Sequence, residues 1–215
     1  MTIYQLYQRL LENMGHQGNW PADSPEELIA GAILVQNTRW ENAQLSLARL
    51  SQKLNGNFKL LHHLPIQELQ DLIRSSGFGK NKSRALQELF YWLQQHDFDY
   101  ETIAQFHGDN LRRELLKHFG IGQETADVLL LYIFHRPVFI ADNYARQLFG
   151  YLLGTDFPDY TRLSKCINLQ EFTLKEAQQF HILIDEFGKH YCKPTIGIET
   201  SFLEPKGLKI NNHSN

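Results

Sequence analysis

The sequence predicts an all-helical protein, and three observations carry that prediction. Apolar residues recur near a 3.6-residue period along most of the chain, the spacing of helices with one buried face. Two stretches, Ser24-Pro25-Glu26-Glu27 and Thr173-Leu174-Lys175-Glu176, have the form of capping boxes, in which a hydroxyl and a glutamate satisfy the open N–H groups of a helix start. Alternating apolar and polar runs of useful length are missing, so no strand is predicted.

The elements follow in order. The first capping box carries proline at the first helical position, where its missing N–H costs nothing, and opens a helix that runs apolar to about Val35. Glu41 to Leu54 repeats leucine and alanine at helical spacing, and Lys80 to Gln95 does likewise. Leu111 to His118 predicts a further helix, whose stripe ends at Phe119. A tight turn, Gly120-Ile121-Gly122, follows, and another helix starts at Gln123. Val138-Phe139-Ile140-Ala141 is bounded by Pro137 and Asp142 and reads as an extended connector. Asp142 stands in the N-cap position of a helical run from Asn143 to Leu152. The second capping box opens the last helix, to about His190. The tail after Pro194 has little pattern, and its end, Asn211 to Asn215, is expected to fray.

At 215 residues the chain can bury a real core. Its 42% hydrophobic and 21% charged residues are ordinary for a soluble globular protein. The longest apolar run, Val128 to Phe134, is too short to span a bilayer. Met1-Thr2-Ile3-Tyr4-Gln5 has no basic segment before an apolar one, so no signal peptide is read. A cytoplasmic monomer without a membrane partner is the expectation. Ten histidines are scattered without an HExxH or comparable cluster, which disfavours a metal-dependent hydrolase, and no metal ligands are assigned. Two cysteines, Cys166 and Cys192, cannot supply the four thiolates of an iron–sulfur cluster. A disulfide is not expected in a reducing cytoplasm, and Cys166 reads as a core residue.

The glycine turn has a physical reading of its own. Two glycines flanking one apolar residue let the chain take φ > 0 and bring bare backbone close to a ligand. The N–H groups that open the next helix lack intrahelical partners, and with the helix dipole they form an anion site that a phosphodiester fills. Ile121 would point back between the two helices. An ordinary helix–turn–helix corner would use the same glycines. The net charge of −3 is unhelpful to phosphate binding. Basic residues nevertheless gather at Arg74, Lys80, Lys82 and Arg84 and again at Arg112, Arg113, Lys117 and His118, although solvated helix faces would give the same clusters.

Phe119-Gly120-Ile121-Gly122-Gln123-Glu124-Thr125-Ala126-Asp127, followed by Ile140-Ala141-Asp142, resembles the helix-hairpin-helix DNA glycosylases of the endonuclease III superfamily. Gly31-Ala32-Ile33-Leu34-Val35-Gln36-Asn37-Thr38 looks like that family's glutamine-bearing helix end, and Gly77-Phe78-Gly79-Lys80-Asn81-Lys82 like its DNA-inserting loop. Asn19-Trp20-Pro21-Ala22-Asp23 and Asn37-Thr38-Arg39-Trp40 are most similar to the 3-methyladenine DNA glycosylase III branch. The resemblance covers Trp20 to Cys192. It implies two helical lobes, residues 25–136 and residues 1–24 with 137–215, the first carrying the hairpin and the second the catalytic aspartate. It implies double-stranded DNA with damaged bases as partner. It also allows a monovalent cation on the hairpin carbonyls when DNA is bound. Cys192 falls where relatives place the first ligand of an iron–sulfur cluster, and with no later cysteine the cluster is expected to be absent.

A base inside a duplex must be extruded before chemistry can reach it. By resemblance, Gln36 fills the gap with Asn37 beside it, and Phe78 is a wedge in the loop with Gly79, Lys80 and Lys82. Gly120, Ile121, Gly122 and Thr125 complete the expected DNA contacts. Asp142 is the candidate catalyst, because a carboxylate near C1′ stabilises the oxocarbenium character of glycosidic cleavage and can orient or deprotonate water. Glu124 replaces the lysine with which bifunctional relatives form a Schiff base, so a monofunctional enzyme with weak or absent lyase activity is expected. Glu124 either lines the pocket or only favours its helix start. Trp20 and Trp40 would stack on a cationic alkylpurine, with Pro21 shaping the wall; core packing is the alternative for each tryptophan. Ala32 stands where adenine-excising relatives carry glutamate, and Phe119 where the family hairpin often has proline. A glycosylase for another lesion and a non-catalytic DNA-binding module are the competing functions.

Overall fold

The computed structural model describes residues 1–208, and among them are eleven α-helices and no strand. The fraying expected at Asn211 to Asn215 lies outside the described residues. The chain divides into two compact units, Pro21–Phe134 and Met1–Trp20 together with the chain from His135 onward.

The first of these units is built around α2 (Pro25–Leu34). Every residue of it from Leu28 to Leu34 is buried, the pattern of a helix covered on all sides. Around it pack α3 (Trp40–Leu54), α5 (Gly79–Gln94), α8 (Gln123–Tyr132) and a 3-10 turn, Phe58–His63. Short α4 (Ile66–Leu72), α6 (Tyr100–His107) and α7 (Leu111–Leu115) complete the unit. The start of α2 is a variant of the expected box. Ser24 accepts from the Glu27 N–H, but Glu27 turns its carboxylate to the N–H of Asp23 at 2.8 Å, one residue further out. Glu26 is buried and accepts a hydrogen bond of 2.8 Å from Tyr100, whose hydroxyl is pushed far above its ordinary range by burial and by that carboxylate. The helix expected over Leu111 to His118 stops at Leu115. Bonds from Lys117 N to Glu114 O and from His118 N to Leu115 O span three residues and tighten the chain into the turn.

The other unit packs α1 (Ile3–Met14) and α9 (Asn143–Leu153) against α11 (Leu174–Tyr191), with short α10 (Tyr160–Ser164) against α9. Complete capping boxes open α1 at Thr2 and Gln5 and α11 at Thr173 and Glu176. Tyr4, Tyr7, Phe172 and Phe180 form a connected aromatic cluster where α1 meets α11, and the Tyr4 hydroxyl donates to Glu176 at 2.6 Å. Phe139, in the expected connector, edges onto Phe149 of α9. Gly188 lets α9 come close to α11, because the ring and Cβ of Tyr144 stand where a Cβ on residue 188 would go.

Candidate nucleic-acid interface and carboxylate site

Three turns of the α2 unit carry the residues assigned to DNA. In the hairpin between α7 and α8 only Gly120 takes positive φ, at 74°, and a Cβ there would meet the Ala85 Cβ of α5 at 2.7 Å. Gly122 is extended at φ −86° and caps α8 with open space where its Cβ would be. The two glycines thus do different work. Gly120 bends the chain against α5, and Gly122 takes the cap position of α8 without a side chain. Ile121 is buried as expected. Glu124 is exposed in the first turn of α8, where its charge suits the dipole.

At the end of α2, Gln36 does not project freely. Its Nε2 donates to the Gly120 carbonyl at 3.0 Å and to the Thr125 hydroxyl at 2.9 Å. Thr125 is buried beneath it, so the DNA contact expected of Thr125 is corrected to an anchor for Gln36. Asn37 beside it is exposed at φ 53°. In the third turn, Phe78 is 66% exposed and takes a left-handed backbone at φ 51°, which sets aside a core position for the ring.

Lys80 and Arg74 are exposed. Lys82 is not. It is 3% exposed, and its Nζ donates to the carbonyls of Leu34 at 2.8 Å and Ser76 at 2.7 Å. The expectation that Lys82 contacts phosphate is therefore corrected. Desolvation brings its pKa down to about 8. Two members of the second basic cluster are also paired. Arg112 forks onto buried Asp127 at 2.6 and 2.9 Å, and Lys117 pairs with Glu114 at 2.6 Å. Arg84 bonds Glu88 and lies over the Phe119 ring at 3.9 Å. Trp40 opens α3 with its ring against Gly31 of α2. Pro21 is exposed at the start of this unit.

The carboxylate site lies in the other unit. Asp142 is the N-cap of α9 and accepts from the Ala145 N–H at 2.7 Å. Its other oxygen is 3.8 Å from Nε2 of His181 on α11. The His181 pKa is lowered to about 4, first by burial, so the imidazole is neutral at pH 7 and brings no positive charge to the carboxylate. Trp20 lies nearly parallel to that imidazole, with centroids 6.1 Å apart and planes 15° from parallel. Burial and the Asp142 charge raise the Cys192 thiol to about 11, so the thiol keeps its proton at neutral pH. Cys166 is half-buried rather than in the core, its thiol on the Arg162 carbonyl at 3.1 Å. Sequence reasoning missed His181. It stands 39 positions from Asp142 (181 − 142) among scattered histidines, and only the packing of α11 on α9 brings the two together.

Residues 30–168 match the model of the HhH-GPD superfamily base excision DNA repair proteins. The chain belongs to that superfamily. A Methanocaldococcus jannaschii protein named as a candidate DNA repair glycosylase is 34% identical to this HhH-GPD chain over 197 residues, 89% of each. Helicobacter pylori 3-methyladenine DNA glycosylase (MagIII), solved with 1,N6-ethenoadenine, superposes with TM-score 0.67 at 26% identity, over 88% of this chain and 98% of that one. An endonuclease III trapped as a covalent intermediate on DNA superposes with TM-score 0.71 over 91% of this chain and 88% of that one, a likeness of fold at 22% identity. The protein is thus an all-helical member of a base excision repair glycosylase family.

Proposed function

We propose that this HhH-GPD protein is a monofunctional DNA glycosylase that extrudes alkylated purines such as 3-methyladenine from duplex DNA and hydrolyses their N-glycosidic bond. The observation that carries the reading is the grouping in one unit of Asp142, neutral His181 and the Trp20 ring. Asp142 is fixed by the cap it forms, and the α9 N-terminus favours its anion. Cleavage builds positive charge on the sugar, which this carboxylate stabilises while water adds at C1′. A cationic alkylpurine leaves without a strong general acid. An aromatic face such as Trp20 or Trp40 holds a cation by roughly 0.5–2 kcal/mol.

Glu124 cannot form an imine, so strand cleavage by a Schiff base is not assigned to that position. The proposal includes no iron–sulfur cluster, because the sequence has two cysteines. The 3-methyladenine glycosylase among the structural relatives supports the substrate class.

The test is base release from methylated duplex DNA by the purified protein, without added metal, beside Asp142→Asn. The expected result is 3-methyladenine release by the wild type alone, with strand breaks appearing only after alkali. Equal release by Asp142→Asn would remove Asp142 from the mechanism. Binding to abasic DNA without release of any methylated base would overturn the alkylpurine assignment.

A further inference from the structure

A partly buried polar chain joins the two turns that bear Gln36 and Phe78. Thr38, two residues after Gln36, accepts from the Asn42 side chain at 2.9 Å and closes its turn onto the Val35 carbonyl at 3.2 Å. The Asn42 carbonyl accepts from Ser46 at 3.3 Å and from Ser76 at 3.4 Å. Ser46, with no exposed surface, is 2.8 Å from the Ser75 hydroxyl and accepts from Ser76 at 2.7 Å. Lys82 closes the circuit from the other side. One ammonium bridges the carbonyl of Leu34, two residues before Gln36, and the carbonyl of Ser76, two residues before Phe78.

This arrangement is unusual in its chemistry. The cation is seated on two carbonyls rather than on a carboxylate, and one of them lies at the negative end of α2. Holding an ammonium with almost no water costs free energy unless its hydrogen bonds are well made. A Leu or Met would fill the same volume at lower cost, but neither could donate to both carbonyls. What the charge adds is a fixed separation between two chain segments, alongside the weaker link through serine hydroxyls.

We infer that Lys82 is a positioning residue for base extrusion, setting the spacing of the Gln36 and Phe78 turns so that both enter the duplex in register. The inference rests on the glycosylase reading for its purpose, but its test does not need base release. Lys82 acts through the two turns and touches neither DNA nor the sugar. Loss of its donors leaves two buried carbonyls unsatisfied and lets the turns drift apart, while the hairpin and its α8 N-terminus keep their phosphate site.

The experiment uses the full chain and a duplex with an abasic-site analogue beside 2-aminopurine, whose fluorescence rises when a side chain unstacks it. Binding is read separately by anisotropy. Wild type is expected to bind and raise the fluorescence. Lys82→Met is expected to bind within about threefold of wild type with most of the fluorescence rise lost. A folded Lys82→Met with the full rise overturns the inference. Equal loss of binding and of the rise also overturns it, because that marks a general packing role, and so does a wild type that gives no rise. If Lys82→Met does not fold, Lys82→Gln, whose shorter amide cannot span both carbonyls, is read by the same criteria. A wild type that raises the fluorescence but releases no methylated base overturns the alkylpurine reading and leaves this test standing.

Discussion

His181 shows how one residue's environment can be read as pH dependence. Its folded pKa of about 4 lies below the ordinary histidine value of 6.5. Between those two limits the unfolded chain takes up a proton that the folded chain refuses. The stability contributed by this group is therefore complete above pH 6.5 and lost progressively as pH falls toward 4. For a buried imidazole a shift of this size is worth about 3 kcal/mol at most. Asp142, Asp185 and Lys189 all act on the same neighbourhood and shape the curve. His181→Phe keeps a flat ring beside Trp20 and removes the titration. Urea unfolding of this variant from about pH 7 to about pH 4 is expected to lose less stability than wild type. Parallel curves would assign the acid sensitivity to other groups. Residue chemistry is unevenly legible in the sequence. Asp142 is readable as an N-cap, because it stands directly before the apolar run of its own helix. His181 is not, since its meaning depends on a partner in another helix.

At the scale of elements, the packing of α9 on α11 depends on Gly188. A methyl group there would occupy the space of the Tyr144 ring, and Tyr144 is in the first turn of the helix that Asp142 caps. Overpacking of this kind costs roughly 1–3 kcal/mol. Gly188→Ala is expected to lower Tm by several degrees, and to depress base release beyond what lost folded protein explains, because the cap moves with the turn. An unchanged Tm would mean that Tyr144 turns aside without strain. The long helices are legible from apolar period and caps, and their ends fall within one or two residues of expectation. Helix α1 is not singled out in the sequence, although Thr2 and Gln5 form a complete box at its start. Helix α7 ends earlier than its stripe suggests, since the bonds that tighten the turn leave the apolar pattern intact as far as Phe119.

Taken as a whole, the molecule reaches for a polyanion with a net charge of −3. Several basic side chains that look available in the sequence are engaged by neighbours, as with Arg112 on Asp127 and Lys117 on Glu114. A few cations, Arg74 and Lys80 among them, stay exposed. Binding to duplex DNA is therefore expected to show a shallow dependence on salt. Lys80→Ala should reduce the log–log slope by about 1 if Nζ meets a phosphate. Arg112→Ala should act on stability and leave the slope nearly unchanged. Equal changes of slope in both variants would return Arg112 to the contact surface. Charge clusters in the sequence are the poorest guide here, because proximity along the chain says nothing about which carboxylate a guanidinium will find.

Phe78 carries a consequence of a different kind. A large aromatic ring is held in water, on a backbone conformation that side-chain sterics oppose by roughly 1–2 kcal/mol. Selection for folding alone would place glycine, asparagine or aspartate between Gly77 and Gly79. A partner surface that takes up the ring would offset its exposure to water without any change in the backbone that presents it.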